Sequence, residues 1–254
     1  MILDSFRLDG KVALVTGANR GLGKGAAIAL AEAGADVALL CRSSGADTAQ
    51  AIRERGRRAL ELTCDLAQAT PESLGRLVDD VVRELGRLDI LINNAGAIAR
   101  QSALEHSRAN WDEILHIDLD AAFWLAQAAG GVFCAQGSGK IVTIASMLSF
   151  QGGINVISYA TAKHGVAGFT QALANEWAGL GVNVNAIAPG YMATDNTAPL
   201  RADPARNEAI NARIPAGRWG TSDDLAGAVV YLSSAASDYV HGTILAVDGG
   251  WLAR

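Results

Sequence analysis

The sequence predicts an α/β chain: a parallel sheet of about seven strands, covered by helices on both faces. Three observations carry this. Short apolar runs alternate with segments of helical period along the chain. Those runs are apolar at consecutive positions, the mark of strands buried on both sides. A glycine-rich run sits where the first strand gives way to the first helix.

The elements follow in order. Lys11–Thr16 (KVALVT), bounded by glycine, is a strand, and Leu22–Ala33 continues at helical spacing. Asp36–Cys41 (DVALLC) is the second strand, and Thr48–Arg58 has helix-forming composition with a charged face. Ala59–Cys64 is the third strand. Pro71–Leu85 is an amphipathic helix, with Pro71 suited to its first turn. Asp89–Asn93 and Gly139–Ala145 are strands on either side of a long helix, Trp111–Gln136. Tyr159–Ala178 is a helix, and Val182–Ala188 and Gly242–Val247 complete the sheet. No repeat, low-complexity tract or linker divides residues 1–254, so one domain is expected. Met192–Trp219 breaks the alternation with Pro199, Pro204 and Pro215. Placed just past a strand's C-terminal end, it reads as a lid over a ligand crevice.

Composition excludes several classes. Half of the 254 residues are hydrophobic and 19% are charged, which is incompatible with a disordered chain. A net charge of −5 argues against a nucleic-acid or polybasic membrane surface. Cys41, Cys64 and Cys134 are odd in number and form no C-x-x-C pair, so they read as small buried hydrophobes in a reducing compartment. The first residues, MILDSFRLDGK, lack a signal-peptide pattern, and the expected location is the cytoplasm. Residues 141–162 are uncharged, but Ser149, Gln151, Asn155 and a Gly152–Gly153 turn interrupt them, so no membrane span is expected. His106, His116, His164 and His241 are scattered and predict no metal site.

The glycine run, Gly17-Ala18-Asn19-Arg20-Gly21-Leu22-Gly23, predicts a dinucleotide site. Glycines let the backbone approach a pyrophosphate, and a helix N-terminus favours its charge. An acidic residue ending the second strand would bind a ribose 2′-hydroxyl; here Cys41 and Arg42 stand there. Arg42, with Arg20 in the glycine loop, favours a 2′-phosphate and hence NADP(H); NAD(H) remains open, with Arg42 then a solvated loop residue.

Tyr159 and Lys163 are four apart at a helix start and share a face. Ser146 follows the fifth strand. A free tyrosine, with a pKa of about 10, is a poor base at neutral pH. A neighbouring ammonium favours the phenolate, which can exchange a proton with an alcohol or ketone while hydride moves to or from a nicotinamide. Ser146 would hold the substrate oxygen.

TGANRGLG (16–23), NNAG (93–96), Ser146, YxxxK (159–163) and PG (189–190) occur in this order, and by them the chain resembles the short-chain dehydrogenase/reductase family over its whole length. The resemblance implies a doubly wound Rossmann sheet with the cofactor across its C-terminal edge. Carried over by position, it implies that Asp65 and Leu66 contact adenine and that Asn93, Ala95 and Gly96 support the middle of the cofactor. Pro189, Gly190, Met192 and Thr194 would lie near the nicotinamide. The family has an asparagine in the long helix that helps order a relay water; this chain has Asp118, which cannot donate when ionised, so a relay role and a structural one are both open. The resemblance also implies a homotetramer. A helix after Tyr159 that is apolar on nearly every face agrees with a second copy covering it, and Trp251 and Arg254 at the chain end stand where family members meet another subunit, or are ordinary core and tail.

IASMLSFQGG (144–153), RIPAGRWG (213–220) and AVDGGWLAR (246–254) resemble one subgroup, the dehydrogenases of acidic sugars. These include 2-deoxy-D-gluconate 3-dehydrogenase, 2-dehydro-3-deoxy-D-gluconate 5-dehydrogenase and gluconate 5-dehydrogenase. The first implies NAD(H), against Arg42. A carboxylate substrate needs a cation, for which Arg100 is the candidate; Gln151 could bond its hydroxyls, and either could instead be a surface residue. Two other readings compete. A 3-oxoacyl carrier-protein reductase would need a basic docking patch, and Arg201, Arg206, Arg213 and Arg218 are spread out instead. A nucleotide-binding regulator would have no need of Ser146, Tyr159 and Lys163.

Overall fold

The seven expected strands form one parallel sheet in the order β3-β2-β1-β4-β5-β6-β7 in a computed structural model that describes residues 1–254. They are β1 (Val12–Thr16), β2 (Asp36–Cys41), β3 (Ala59–Thr63), β4 (Ile90–Asn93), β5 (Gly139–Ile144), β6 (Val182–Pro189) and β7 (Ile244–Val247). From β1 the chain steps outward through β2 to β3, then returns to lay β4 on the other side of β1. Loops leaving β1 and β4 therefore diverge, and a crevice opens between them at the C-terminal edge.

Alternation along each strand feeds two separate cores. Ala13 and Val15 face α1 (Gly21–Glu32) and α9 (Ser222–Ser233), with Leu30, Leu39 and Val229. Val12 and Leu14 face α3 (Pro71–Leu85), α5 (Ala121–Gln136) and α6 (Ile157–Trp177), with Leu74, Leu125 and Phe133. The central strands are buried on both faces, which is why β1, β2 and β4 read as continuous apolar runs, whereas the edge strands β3 and β7 are partly exposed.

Most element boundaries agree with the sequence reading; three differ for visible reasons. α2 (Ala46–Glu54) stops before Arg58: Gly56, at φ of +72°, turns the chain, and Arg58 beyond it bonds Asp36 through its backbone N (2.7 Å) and Nε (2.7 Å). The long helix starts earlier: α4 (Arg108–Leu115) is capped by Ser107, whose hydroxyl accepts from Asn110 N at 3.1 Å. It runs into α5 through a π-helical turn, His116–Asp120. α9 escaped the sequence reading altogether; its pattern, SDDLAGAVVYLS, is apolar on too many sides to show a stripe.

The segment expected as a lid holds a short turn (Asp195–Thr197), α7 (Ala198–Ala202) and α8 (Pro204–Arg213). Ile210 and Ile214 pack with Met147 and Trp251. Trp251 is thus core within this chain, with the Arg213 guanidinium 3.9 Å from its ring centroid, and Arg254 donates to Ala212 O. Cys41 is buried, whereas Cys64 and Cys134 are half-buried rather than fully enclosed. No helix is long and apolar enough to cross a membrane.

Candidate active site

A cleft of about 980 Å³ runs along the C-terminal edge of the sheet, from Arg42 and Ser43 past the glycine loop to Ser146 and Tyr159. Its floor is built by the turn after β1. Gly17 has φ of +65°, open to glycine at little cost, and its N donates to Leu40 O at 2.8 Å. A Cβ on Gly23 would stand 2.2 Å from Gly17 O and 2.4 Å from Asn94 Nδ2. Asn94 fastens this turn to β4: its Nδ2 donates to Thr16 O (2.8 Å), and its N donates to Thr16 Oγ1 (2.9 Å). α1 begins without a side-chain cap and without an acid in its first turn. Uncapped amides at a helix start, reached by a side-chain-free turn, fit a pyrophosphate.

At the far end of the cleft the structure separates the predicted cations. Arg42 lines the rim and is exposed. Arg20 also lines it, but its guanidinium pairs with Asp195, in the segment after β6, at 3.2 Å. Cys41 does not line the cleft; it is buried behind it, and desolvation raises its thiol pKa. Ser43 takes the place beside Arg42, accepting from Asn19 Nδ2 at 2.9 Å. Asp65 and Leu66 line the wall, with Asp65 Oδ1 accepting from Ala67 N.

Ser146, Tyr159 and Lys163 come together at the other end of the cleft. Ser146 lies just beyond β5, and its Oγ accepts from Leu148 N at 3.1 Å. Tyr159 stands in the first turn of α6 and Lys163 one turn later. Lys163 Nζ is buried, donates to Ile144 O at the end of β5 (2.9 Å) and lies 5.4 Å from the Tyr159 ring centroid. Ser149 Oγ donates to Lys163 O at 2.6 Å and ties the serine loop to the same helix. From the π-helical turn, Asp118 enters the cleft beside Lys163, with Oδ2 3.5 Å from Nζ, while its Oδ1 accepts from Ala97 N at 2.7 Å. Burial raises the pKa of the Asp118 carboxyl, and the Lys163 charge opposes that shift.

Of the other expected site residues, Asn19, Gly21, Leu22, Ala95, Gly96, Arg100, Pro189, Gly190, Met192 and Thr194 line the cleft. Gly23 shapes it from behind. Asn93 and Gln151 do not line it. Asn93 points down from β4, and its Nδ2 donates to Ala122 O; Asn94, the next residue, faces the cleft instead, as alternation along a strand dictates. Gln151 closes the turn after Ser146, its N donating to Met147 O. Ile117 also lines the cleft and carried no motif to reveal it, whereas Asn196 and Thr197 line it from the segment expected to cover the crevice.

Residues 17–252 match the family model described as enoyl-(acyl carrier protein) reductase. The 2-dehydro-3-deoxy-D-gluconate 5-dehydrogenase of Escherichia coli is 53% identical over the full length of both chains. A crystal structure from Agrobacterium tumefaciens with bound NADP, put forward as a 2-deoxy-D-gluconate 3-dehydrogenase, is 55% identical, with a TM-score of 0.93 over 98% of this chain and 99% of that one. One from Beutenbergia cavernae with NADP at low occupancy, put forward as an NAD(P)-dependent gluconate 5-dehydrogenase, is 51% identical, with a TM-score of 0.94 over 98% and 100%. With the cleft, its serine, tyrosine and lysine, and these likenesses in agreement, the chain belongs to the short-chain dehydrogenase/reductase family and is an NAD(P)-dependent oxidoreductase.

Proposed function

We propose that this protein interconverts a secondary alcohol and a ketone on an acidic sugar, with NADP(H), as a 2-dehydro-3-deoxy-D-gluconate or gluconate 5-dehydrogenase. The observation that carries the chemistry is Lys163 held 5.4 Å from the Tyr159 ring at the wall of a cleft that Ser146 shares. Bound nicotinamide supplies or accepts the hydride. Tyr159 gives the proton to the substrate oxygen in reduction and takes it back in oxidation. Ser146 donates to that oxygen and orients it. Lys163, fixed by Ile144 O, sets its amine beside the phenol, where it can stabilise the negative charge that develops on the tyrosine oxygen during transfer.

Full-length likeness to sugar-acid dehydrogenases supports the substrate class. Arg100 supports it chemically: it lines the cleft, and its Nη2 donates to Asn196 O at 3.1 Å, which leaves other guanidinium donors for a carboxylate. Arg42 and Ser43 on the rim suit a 2′-phosphate better than Arg20 does, since Arg20 already faces Asp195. The same reading includes a cytoplasmic homotetramer, for which the small, exposed Gly168 and Ala172 on the outer side of α6 offer a close-packing face. Light scattering tests the assembly.

The deciding assay follows NADPH and NADH oxidation side by side with a keto-deoxy sugar acid, a neutral ketone of the same length and a 3-oxoacyl thioester. Turnover with the sugar acid and preference for NADPH are expected. Arg42→Asp should move the NADPH:NADH ratio of kcat/KM toward NADH by about tenfold or more, the value of one charge-assisted contact. An unchanged ratio sinks the role of Arg42, and faster reduction of the thioester sinks the sugar-acid reading.

A further inference from the structure

Asp118 is the one acidic side chain wholly enclosed at the reactive end of the cleft, at 1% exposure, and Lys163 beside it is 4% exposed. Its two oxygens do different things. Oδ1 accepts from Ala97 N at 2.7 Å, fixing the loop after β4. Oδ2 has no hydrogen-bond partner, lies 3.5 Å from Lys163 Nζ, and sits so close to Gly96 that a Cβ there would be 3.0 Å away. An amide at this position would meet the ammonium as a dipole; a carboxylate meets it as a countercharge.

We propose that Asp118 is a positioning residue that balances the charge of Lys163, so that proton transfer at Tyr159 turns on at a higher pH than it would with asparagine in its place. The inference rests on the oxidoreductase reading above. A buried carboxylate 3.5 Å from Nζ offsets part of the positive field that reaches the phenol. The other groups around the pair leave that balance to Asp118. On α6, Tyr159 and Lys163 face it; residues 94–98 of the loop after β4 carry no charge; β5 and its loop offer Ile144 O and Ser146. In the π-helical turn, His116 and Asp120 lie 4.0 Å from each other, with His116 Nε2 at Ala69 O. Further along the cleft are Arg100, Arg20 with its partner Asp195, Arg42, Cys64 and Asp65.

The test is the pH profile of kcat/KM for alcohol oxidation in Asp118→Asn, an isosteric change. The acid limb should move down by about one pH unit, so that the variant is about tenfold faster than the parent on the acid side of the limb. A purely structural Asp118 would lower the rate equally at all pH values and leave the limb in place; that result overturns the proposal. A second readout needs no turnover: the phenolate absorbance of the cofactor-free protein is titrated in the Asp118 and Asp118→Asn backgrounds, each with its Tyr159→Phe counterpart subtracted. The Tyr159 signal should appear at lower pH in the asparagine form, and coincident curves overturn the inference even if the substrate proves to be something else. Where Asp118→Asn folds poorly, Asp118→Glu, which keeps the charge, should hold the parental limb; a limb displaced as in the amide form counts against the proposal.

Discussion

The two edges of the same sheet handle buried charge in opposite ways. At the N-terminal edge, Asp89 stands just before β4 and is saturated: Arg87 reaches it with two bonds (2.6 and 2.7 Å), Val12 N donates at 3.0 Å and Lys11 at 3.3 Å. Nearby, Lys140 donates to Asn183 Oδ1 and Asp238 Oδ1, and Asn183 Nδ2 donates to Ser237, Asp238 and Val240 carbonyls. At the C-terminal edge, Lys163 has one carbonyl, Asp118 Oδ2 has no hydrogen bond, and Ser146 Oγ keeps its proton unassigned to any acceptor within the chain. Saturation locks strands in register. Incomplete pairing costs stability and leaves donors and charges directed at whatever enters the cleft. The difference separates groups that hold the fold from groups that act on a ligand.

The largest effect that could break this division is on turnover. Tyr159→Phe removes the proposed proton donor and should lower kcat by about a thousandfold or more. NADPH binding, followed by fluorescence, should change little, and the melting temperature should hold or rise. Retained turnover would remove Tyr159 from the chemistry, and a chain that binds NADPH at full strength and never turned over would be a nucleotide-binding regulator. At the opposite edge, Asp89→Ala leaves Arg87 and Lys11 to the solvent that already reaches them, and leaves the buried Val12 amide without its acceptor. It should cost about 2 kcal/mol in urea unfolding, with kcat per folded molecule unaltered. A loss of activity that tracks no loss of stability would show that the two edges are coupled through β4.

How much of this was legible beforehand differs between the edges for the same reason. The central strands β1, β2 and β4 were readable because each is short and apolar at nearly every position. The catalytic edge was readable because its chemistry restricts residue types: few side chains can replace Tyr159 beside Lys163, or Gly23 where a Cβ would overlap Gly17 O. What stayed hidden depends on which way a side chain turns. Asn93 and Asn94 are identical in type, and only the pleat of β4 decides that the second faces the cleft. Cys41 ends β2 and is buried in the core as its type suggests, so the place at the cleft expected of it falls to Ser43, two residues on. Arg20 in the glycine loop suits a phosphate by sequence, and its pairing with Asp195 joins positions 175 residues apart, a contact no local pattern encodes. The Asp89 cluster left no signal either, because Lys, Arg and Asp near strand starts are ordinary surface residues until the fold brings them together.

The smallest effect gives the most discriminating case, because Asp224 is saturated yet lies beside the catalytic edge. It caps α9 by accepting from Thr221 N at 2.7 Å, and Arg218 grips it with two bonds of 2.6 and 2.7 Å. Gly220, just before that cap, bridges to Met192 of the cleft wall. Arg218 and the Thr221 amide hold the Asp224 carboxyl well below the usual carboxylate range. A depressed folded-state pKa means that the stabilisation is present above the unfolded value, about 3.9, and is lost as pH falls through and below it. Asp224→Asn keeps an oxygen that can accept from Thr221 N but loses the charge facing Arg218, so it should cost about 0.5 kcal/mol at pH 7, the worth of an exposed ion pair, with the deficit shrinking once the medium is acid enough to protonate the parent's carboxyl. Because the pair is largely solvent-facing, high salt should weaken the Arg218 contribution and leave the amide cap. If saturation rather than location marks a folding role, kcat and KM will stay at parental values at pH 7 even though the cap adjoins the lid. A change in KM with unchanged stability would instead make Asp224 part of the lid's working geometry, and nearness to the cleft would then outweigh the completeness of its bonds.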